Sequence, residues 1–468
     1  MYHASVFDVY DTKENHLLYE YFDRMTAGAK NMYNVANFNI RQLMTGLKKE
    51  SSDRTPNEQN VIDRFEKLVP AVNKRRSDRK NYKPLKMPTA RKWFTGYNLL
   101  DAVFSEEDDP DYRAVYCHVA QNAIKECVQA WRSFFTKRKT NPDARIPGYK
   151  KNERTTAKFN NQGVKIEDGV LTFPLTKEKF KLGSFPHSDD KLIEVKIMPY
   201  YGHYQIHVIT DDQTEPLTKR DPMKPCRAMM IDLGVDNFAA ITDSIGKTPI
   251  AVKGGYIKSI NQNWNRMISE LKSIQMKGHD PKTYHPAYTK RMNALTAKRD
   301  RIFRDMFYKI SHFICRTAEK RGIEIIIVGK NSGWKQNSNM GRKSNQAFTQ
   351  IPYARFIHIL GCVALSYGMD VITQEESYTS KSSFIDGDPI PTYGQEPDHG
   401  ISMSGLRVKR GLYKSADGTE INADVNGSLN IGRKYDPWMF DGLKDRHVYA
   451  ETTRSIGYRD FHPEAKGK

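Results

Sequence analysis

Two aspartates, Asp232 and Asp424, lie far apart in the chain, each in a short segment that resembles a strand end. Asp232 stands in residues 230–237 (MIDLGVDN), and Asp424 stands in residues 421–427 (INADVNG). Magnesium takes one or two protein carboxylates and fills its other positions with water and phosphate oxygens. A pair of such ions activates water and stabilises the leaving oxygen. The two aspartates therefore predict magnesium-dependent cleavage of a phosphodiester.

The overall charge favours a nucleic-acid partner. The 468 residues include 74 Lys and Arg against 55 Asp and Glu, which leaves a net charge of +19, and 11% of the residues are aromatic. A folded chain that is both basic and rich in aromatic residues is typical of proteins that bind nucleic acid. Charge alone also fits a ribosome-associated factor or a protein that its Lys and Arg keep soluble.

The cysteines exclude two structural classes. They stand at positions 117, 127, 226, 315 and 362 and form no Cys-x-x-Cys pair, so we expect neither a disulfide framework nor a zinc ribbon. The opening residues lack the pattern of a signal peptide, and the longest apolar stretches are too short to span a bilayer. We therefore expect a reduced, cytoplasmic protein without a membrane partner, associated with the nucleoid if it is prokaryotic.

Composition divides the chain into successive zones. A strand-like opening precedes a zone with apolar residues at helical spacing. Alternating residues with Gly and Pro punctuation then indicate a small antiparallel sheet or barrel, so the helical zone reads as an insertion into one β domain. After a linker, strands alternate with helices, which predicts a mixed α/β sheet covered by helices, and a tail follows. The expected boundaries are 1–14, 15–138, 139–217, 218–225, 226–436 and 437–468.

The α/β zone has the element order of an RNase H-like nuclease domain, with acidic residues at strand ends. Its helices are expected from a 3.6-residue apolar period and its strands from short apolar runs. The expected strands cover 227–233, 237–242, 323–328 and 370–375, and the expected helices cover 257–276, 288–320 and 351–368, with a last helix after Asp424.

Within the helical zone, cations alternate with aromatic rings such as Tyr82 and Trp93. This pattern suits phosphate contact combined with base stacking. A solvated helix face would show the same charges, so both interpretations stay open for each residue. The cations are Lys74, Arg75, Arg76, Arg79 and Lys80.

Several segments together resemble the RuvC segments of the TnpB family, the transposon-encoded, RNA-guided nucleases related to the type V CRISPR effectors. They are IDLGVDN at 231–237, VGKN at 328–331, YTSK at 378–381, RGLY at 410–413 and NADVNGSLNI at 422–431. Upstream, RIPGYK at 145–150 is similar to the family's link between its helical lobe and its wedge domain.

This resemblance implies a multidomain α+β protein: a wedge-type β-barrel split by an inserted helical recognition lobe, followed by an RNase H-like (RuvC) α/β nuclease domain. It also implies a transposon-derived guide RNA, a double-stranded DNA target recognised beside a short duplex motif, and two Mg²⁺ ions. Further nucleic-acid contacts are expected at Lys150, Lys151, Lys330, Asn331, Trp334, Lys335, Arg407, Lys409 and Arg410.

One departure from the family concerns the catalytic glutamate. The family usually places it at the end of the second RuvC strand, where this chain has Gly329, which cannot bind a metal. The glutamate of some relatives, including the Fanzor proteins, has moved to the next strand, and here Glu375 and Glu376 stand there. A solvated acid at a strand end is the alternative for either residue. Strand alternation cannot choose between the two glutamates, and we expect Glu376 to join Asp232 and Asp424.

A second departure concerns the zinc ribbon of many relatives. Ser383, Lys414 and Asp417 stand at or near the positions of its cysteines, so no zinc is expected, and 383–420 should form a shortened, metal-free loop. Asp236 is expected to cap a turn, and Asp388 is expected to belong to that loop.

These features predict an RNA-guided DNA endonuclease that uses Asp232, Glu376 and Asp424 as its catalytic, magnesium-binding residues. A nuclease-inactive, RNA-guided DNA-binding repressor from the same family is the alternative, because Gly329 replaces the usual glutamate. A transposase that joins DNA strands without RNA is a third possibility.

Overall fold

The computed structural model describes residues 1–215, 227–280, 283–331, 349–392 and 402–461. The chain divides into two compact units, Met1–Thr214 and Glu215–Lys468, each with its own sheets and apolar core. The expected linker, together with Cys226, Trp334 and Lys335, lies outside the described residues.

The first unit contains two antiparallel sheets. Its strands are β1 (Tyr2–Val9), β2 (Ala157–Asn160), β3 (Lys165–Glu167), β4 (Val170–Thr172), β5 (Lys179–Lys181), β6 (Lys191–Tyr200) and β7 (His203–Asp211). One sheet has the order β1-β7-β6-β2, and the other has the order β3-β4-β5. These pairings establish the expected antiparallel β structure, while closure into a wedge-type barrel remains a prediction.

The helices of the first unit fall between β1 and β2 in the sequence, so they interrupt one sheet. They are α1 (His16–Gly46), α2 (Pro56–Arg76), α3 (Tyr97–Glu107), α4 (Pro110–Arg113) and α5 (Cys117–Arg138). α1 buries Leu18, Phe22, Met25 and Ala29, whose spacing of three or four residues forms one apolar stripe. One of its buried polar residues, Asn37, is satisfied because the indole nitrogen of Trp131 donates to Asn37 Oδ1 at 2.9 Å.

The second unit is built on a six-stranded mixed sheet in the order β12-β11-β8-β9-β10-β16, with strands β8 (Ala228–Leu233), β9 (Asn237–Asp243), β10 (Ile250–Lys253), β11 (Ile325–Gly329), β12 (Asp370–Gln374) and β16 (Arg454–Ile456). β8, β11 and β12 are mutually parallel, β9 is antiparallel to β8 and to β10, and β16 is parallel to β10. The helices are α6 (Gly255–Gln275), α7 (Lys290–Lys320), α8 (Tyr353–Ser366) and α9 (Ala423–Tyr435).

Helices cover both faces of this sheet. Met229 and Ile231 of β8 enter the core shared with α7 and α8, whereas Ala228 and Met230 enter the core under α9. β11 is buried along its whole length, as a parallel strand covered on both faces should be. Burying each Ile or Val side chain of this kind stabilises the fold by roughly 1.5–3 kcal/mol, so the central strands form a rigid base for the residues at their ends.

The expected strands and helices of the α/β zone agree with these bounds to within two residues. Two expectations were wrong. The region expected to be a loop contains a three-stranded sheet, β13 (Leu406–Lys409), β14 (Leu412–Lys414) and β15 (Glu420–Asn422), and the expected tail supplies β16. These strands have only three or four residues, which is too short for alternation to reveal them. Among the described residues, none of the helices is both apolar and long enough to span a membrane.

Candidate active site

The carboxyl ends of three parallel strands meet at one edge of the six-stranded sheet. The parallel pairing of β8 with β11 places Gly329 beside Asp232, and Gly329 pairs with Gln374 at the end of β12. Glu376 follows two residues after Gln374 and therefore reaches the same edge. This edge is where open α/β sheets usually bind their ligands.

The second aspartate reaches this edge on the first turn of α9. Asn422 caps that helix, because its Oδ1 accepts from the backbone N–H groups of Asp424 at 3.0 Å and Val425 at 3.3 Å. One turn later, a Cβ added to Gly427 would lie 3.0 Å from Asp232 Oδ2. The glycine thus lets the helix approach the Asp232 carboxylate closely, which brings the two aspartates together.

The electrostatics of the two aspartates reflect this proximity. Burial raises the pKa of Asp232 to about 7, with a further contribution from the negative charge of Asp424 and an opposing one from Arg407. Two carboxylates that repel each other in a partly desolvated site lose stability when both are ionised. A divalent cation would offset that charge.

Asp424 is held in place by two residues of the neighbouring strands. Asn237 Nδ2 donates to Asp424 Oδ2 at 2.8 Å, and Lys253 Nζ donates to Asn237 Oδ1 at 2.9 Å. These contacts orient the carboxylate. Sequence reasoning missed the role of Asn237, although it belongs to the 231–237 motif.

Glu376 occupies the space above Gly329. A Cβ added to Gly329 would overlap Glu376 Oε2 and the side chain of Ile431 on α9. The backbone N–H of Glu376 donates to Asn331 Oδ1 at 3.0 Å, and Tyr378 adopts the left-handed conformation with φ 64°. A left-handed non-glycine residue costs of order 1–3 kcal/mol. The chain is therefore turned sharply just after the glutamate, and its carboxylate fills the place that a side chain at 329 would take.

Tyr353 connects Glu376 electrostatically with Asp232. Its ring is buried, and its hydroxyl donates to the carbonyl oxygen of Gly234 at 2.8 Å. Burial raises the pKa of Tyr353, and the negative charges of Asp232 and Glu376 raise it further. Both carboxylates therefore lie near one phenol. Sequence reasoning missed this role, because in the sequence Tyr353 is only an aromatic residue near the start of an expected helix.

The neighbouring Glu375 is engaged elsewhere. Lys434 Nζ lies 2.5 Å from Glu375 Oε2, and the backbone N–H of Ser377 donates to Glu375 Oε1 at 2.7 Å. Although burial opposes ionisation, the hydrogen bonds from Lys434 and Ser377 lower the pKa of Glu375. The Lys434 side chain is only 7% exposed, so this ion pair is part of the fold. The contacts distinguish the two glutamates, which the sequence could not do.

The three-stranded sheet brings arginines to the acidic edge. Arg407 lies 3.5 Å from Asp424 Oδ1, and Arg410 lies 2.7 Å from Asp236 Oδ2. Asp236 also pairs with a lysine of α6, which makes it a surface ion-pair residue. Lys409 is exposed on β13, the strand that also contains Arg407. The sequence had assigned all three cations to nucleic acid, and two of them lie against acids of this edge.

The two described residues that were expected to contact nucleic acid after β11, Lys330 and Asn331, have different environments. Lys330 is exposed immediately after Gly329, whereas the Asn331 side chain is bonded to the backbone of Glu376. Asn331 therefore positions the glutamate segment.

The cations of the first unit are also divided between surface and fold. Arg75 forms an ion pair with Glu106, and Arg76 is half-buried near Asp101. Arg75 is nevertheless exposed, as are Lys74, Arg79, Lys80 and Lys151.

Lys150 belongs to the fold of the first unit. Its Nζ donates to Glu126 Oε1 at 2.8 Å and to Thr155 Oγ1 at 3.1 Å, and it lies 4.4 Å from the ring centroid of Tyr33. Because its ammonium group already has these partners, the exposed Lys151 is the better candidate for a phosphate contact.

Hydrogen bonds organise the region that the zinc ribbon occupies in relatives. The carboxylate of Asp388, which is buried, accepts from the backbone N–H groups of Ser383 at 2.8 Å and Ser404 at 3.1 Å. His447 Nε2 lies 2.7 Å from Asp417 Oδ2. Asp388 is thus more than a loop residue, since it holds the two ends of the segment together.

The acidic edge offers a suitable set of donors for magnesium. Asp232, Glu376 and Asp424 supply carboxylate oxygens, which are the hard ligands that Mg²⁺ prefers. Each comes from a different element, and the raised pKa of Asp232 indicates negative charge that a cation would stabilise.

Comparisons with known proteins agree with this architecture. A family model described as a probable transposase (OrfB of IS605) matches residues 206–335, and a model of the Cas12f1-like TNB domain matches residues 353–431. The TnpB-like protein ORF457 of Acidianus two-tailed virus is 24% identical over 207 residues, which is 44% of this chain and 41% of that relative. The match thus spans about two fifths of the relative's length.

Solved structures of guided effectors show weaker likeness. A Cas12f1–sgRNA–target DNA complex aligns with a TM-score of 0.49 and 12% identity over 89% of this chain and 82% of that chain. An AacC2c1–sgRNA–extended non-target DNA complex aligns with a TM-score of 0.40 and 10% identity over 87% and 70%.

The two family models thus make the chain similar to a probable transposase over residues 206–335 and to the Cas12f1-like TNB domain over residues 353–431. Together with the curated relative, these matches show similarity to TnpB-like proteins.

Proposed function

We propose that this chain is an RNA-guided DNA endonuclease that binds a transposon-derived guide RNA, recognises a short duplex motif beside its target and cleaves DNA with Mg²⁺. Similarity to TnpB-like proteins and to the Cas12f1-like TNB domain supports the guide RNA and the DNA target, because base pairing supplies sequence specificity in guided systems of this kind. The acidic edge supports cleavage. The second unit is accordingly a RuvC-type nuclease domain, and the first unit combines the wedge domain and the recognition lobe.

The observation that carries the proposal is the position of the Glu376 carboxylate. It fills the space above Gly329, beside Asp232, where a glutamate at position 329 would have to project. The chain has therefore lost the usual glutamate without losing a carboxylate from that space. Burial and the negative charge of Asp424 both disfavour ionisation of Asp232, and a perturbed carboxylate at such an edge supports a metal-binding role.

In the proposed mechanism, Asp232, Glu376 and Asp424 would hold Mg²⁺ through their carboxylate oxygens. Bound Mg²⁺ would activate a water molecule and stabilise the leaving oxygen of the phosphodiester. Asn237 keeps the Asp424 carboxylate oriented. The buried Tyr353 excludes water from the side of the site next to Gly234, which strengthens the charge interactions inside it.

Two cations at this edge would act on the DNA. Arg407, which lies 3.5 Å from Asp424 Oδ1, would contact the scissile phosphate. Lys330 is exposed at the end of β11 and would contact the phosphate backbone beside the cut. Both contacts neutralise charge as it develops in the transition state.

The proposal is tested by magnesium-dependent cleavage of a matched DNA by the purified RNA complex. Wild type and Glu375→Ala should cleave, and Glu376→Ala should not. Cleavage that survives Glu376→Ala but disappears with Glu375→Ala would assign the metal-binding role to Glu375 instead of Glu376. Guide-directed DNA binding without any cleavage by the wild type would favour the repressor instead.

The RNA component needs its own test. RNA that copurifies with the protein after gentle isolation should be a structured transcript that ends in variable sequence. Strand transfer by the protein without RNA would instead indicate a transposase.

A further inference from the structure

A groove of about 680 Å³ lies along α7 in the second unit, away from the acidic edge. α7 forms one wall with residues three and four positions apart, so the lining follows a single helix face for roughly 16 Å. The other wall comes from the sheet edge at Ile250 and Arg454 and from Asp460 and Phe461. The α7 residues are Lys309, His312, Phe313, Arg316, Thr317 and Lys320, followed by Arg321.

The sheet separates this groove from the carboxylates. Asp232 follows Ala228 and Met230 in the strand alternation and so shares their face under α9, whereas α7 packs on the opposite face. Arg454 pairs with Ile250 at the far edge, three strands from β8, which is roughly 14 Å at the usual strand spacing. The cations of the groove are therefore too far away to contact a phosphate bound at the carboxylates.

The charge of the groove is mostly positive and only partly compensated. Lys309 pairs with Asp305 at 2.9 Å, and Arg321 pairs with the buried Asp243 at 2.8 Å. By contrast, no ion pair joins Arg316, Lys320 or Arg454 to another residue of the described ranges, and all three are exposed. Three cations thus face one groove with their charge available to a partner.

The groove also has an aromatic floor. The rings of Phe313 and Phe461 meet edge to face with centroids 5.7 Å apart, and both are half-buried. An aromatic face beside a row of cations suits an unpaired base together with its phosphates, whereas a base pair hides its bases inside a duplex. Successive cations at 316 and 320 are one helical turn apart, close to the spacing of neighbouring phosphates in an extended strand.

We propose that the α7 groove is a second nucleic-acid site that binds the phosphate backbone of a single strand, with a base against Phe461. Arg316, Lys320 and Arg454 contact phosphates there. The site is separate from the acidic edge and does not depend on whether the carboxylates cleave DNA.

The test measures binding of the full chain, in magnesium-free buffer, to fluorescein-labelled 12-nucleotide RNA and DNA strands by anisotropy. The groove variant combines Arg316→Gln, Lys320→Gln and Arg454→Gln. The matched control removes the same charge from exposed positions outside the groove lining, as Lys290→Gln, Arg291→Gln and Lys298→Gln. The groove variant should bind at least about tenfold more weakly at 0.1 M salt, with a salt slope smaller by about two.

The control variant should stay within about twofold of wild type, since it lowers only the general positive field. Equal losses in both variants, or no loss in either, would overturn the proposal. A larger loss with a 12-base-pair duplex than with single strands would also overturn it. The RNA and DNA probes distinguish the two sources of a strand, and a selective loss with either one identifies the occupant.

Lysine protection gives an independent readout that does not need a variant. Acetylation of Lys320, mapped by mass spectrometry, should fall at least about threefold when the 12-nucleotide strand is present, while acetylation of Lys298 should not change. Protection by polyglutamate equal to that by the oligonucleotide would contradict a nucleic-acid site and indicate a general anion surface. None of these outcomes depends on cleavage. A negative binding result would therefore contradict the groove site but not the proposed nuclease activity.

Discussion

Two regions of the second unit, the acidic edge of the six-stranded sheet and the groove along α7, carry opposite charges. Under α9, Asp232 and Asp424 lie together with Glu376 at the ends of parallel strands, and Arg407 offers only partial compensation. Along α7 on the other face, Arg316 and Lys320 line a groove that also includes Arg454. Uncompensated charge destabilises a fold. Each of these two charged regions would therefore be stabilised by a bound partner of opposite charge. We therefore expect metal at the acidic edge and phosphates in the groove.

Removing one acid from the acidic edge should have the largest effect on cleavage. Asp232→Ala should lower cleavage by the RNA complex at least about a thousandfold, because the metal loses a ligand that no neighbour replaces. Binding of guide RNA and of target DNA should stay within about threefold of wild type, as measured by filter binding. Loss of RNA binding in parallel with cleavage would show that Asp232 supports the fold instead of the metal.

Gly329→Ala should disturb the same edge through packing. The added methyl group would overlap Glu376 Oε2 and Ile431, so we expect cleavage to fall by about ten- to a hundredfold and stability to fall by about 1–3 kcal/mol. Gly361→Ala on α8 is the matched control, because its Cβ would meet nothing within 4 Å. The measurements are cleavage rate and urea unfolding. Equal effects of both substitutions would contradict the close approach of Glu376 to Gly329.

Glu375→Gln should separate stability from cleavage. The nearly buried Lys434 would lose its charged partner, which should cost about 1–2 kcal/mol of unfolding free energy, while the cleavage rate should stay within about threefold. Glu376→Gln is the control, with the opposite pattern. Loss of cleavage in Glu375→Gln without loss of stability would contradict the structural role of Glu375.

The raised pKa of Asp232 predicts a stability effect that depends on pH. Its folded-state pKa of about 7 lies above the ordinary value of 3.8, so its contribution to stability is full below about pH 4 and is lost as the pH rises towards 7. In EDTA, Asp232→Asn should therefore raise Tm relative to wild type at pH 8 and leave it nearly unchanged at pH 4. A Tm difference that does not vary with pH would contradict the shift.

The sequence predicted the elements that long patterns specify. The buried run of β11 and the 31-residue α7 were found within two residues of their bounds, since both have many residues of one period. The sequence also predicted that Asp232 and Asp424 would meet, because both stand at strand-like ends. The short β13 and β16 were missed, because three or four residues carry too little periodicity.

The sequence alone also could not decide whether Glu375 or Glu376 joins the two aspartates. It depends on Lys434, which is 59 positions away from Glu375 in the chain and reaches it only through the packing of α9. The same is true of Tyr353, whose relation to the carboxylates follows from the placement of α8. Contacts of this kind come from tertiary packing and leave no local pattern.

The central claim is that Glu376 supplies the carboxylate that position 329 lacks, and exchanging the two residues tests it most directly. The cleavage rate of the RNA complex with Mg²⁺ is measured for Glu376→Gly alone and for Glu376→Gly combined with Gly329→Glu. The single variant should be inactive, and the double variant should recover at least about a tenth of the activity, because its glutamate projects into the vacated space. An active single variant, or a folded double variant that binds its guide RNA but never cleaves, would contradict the account.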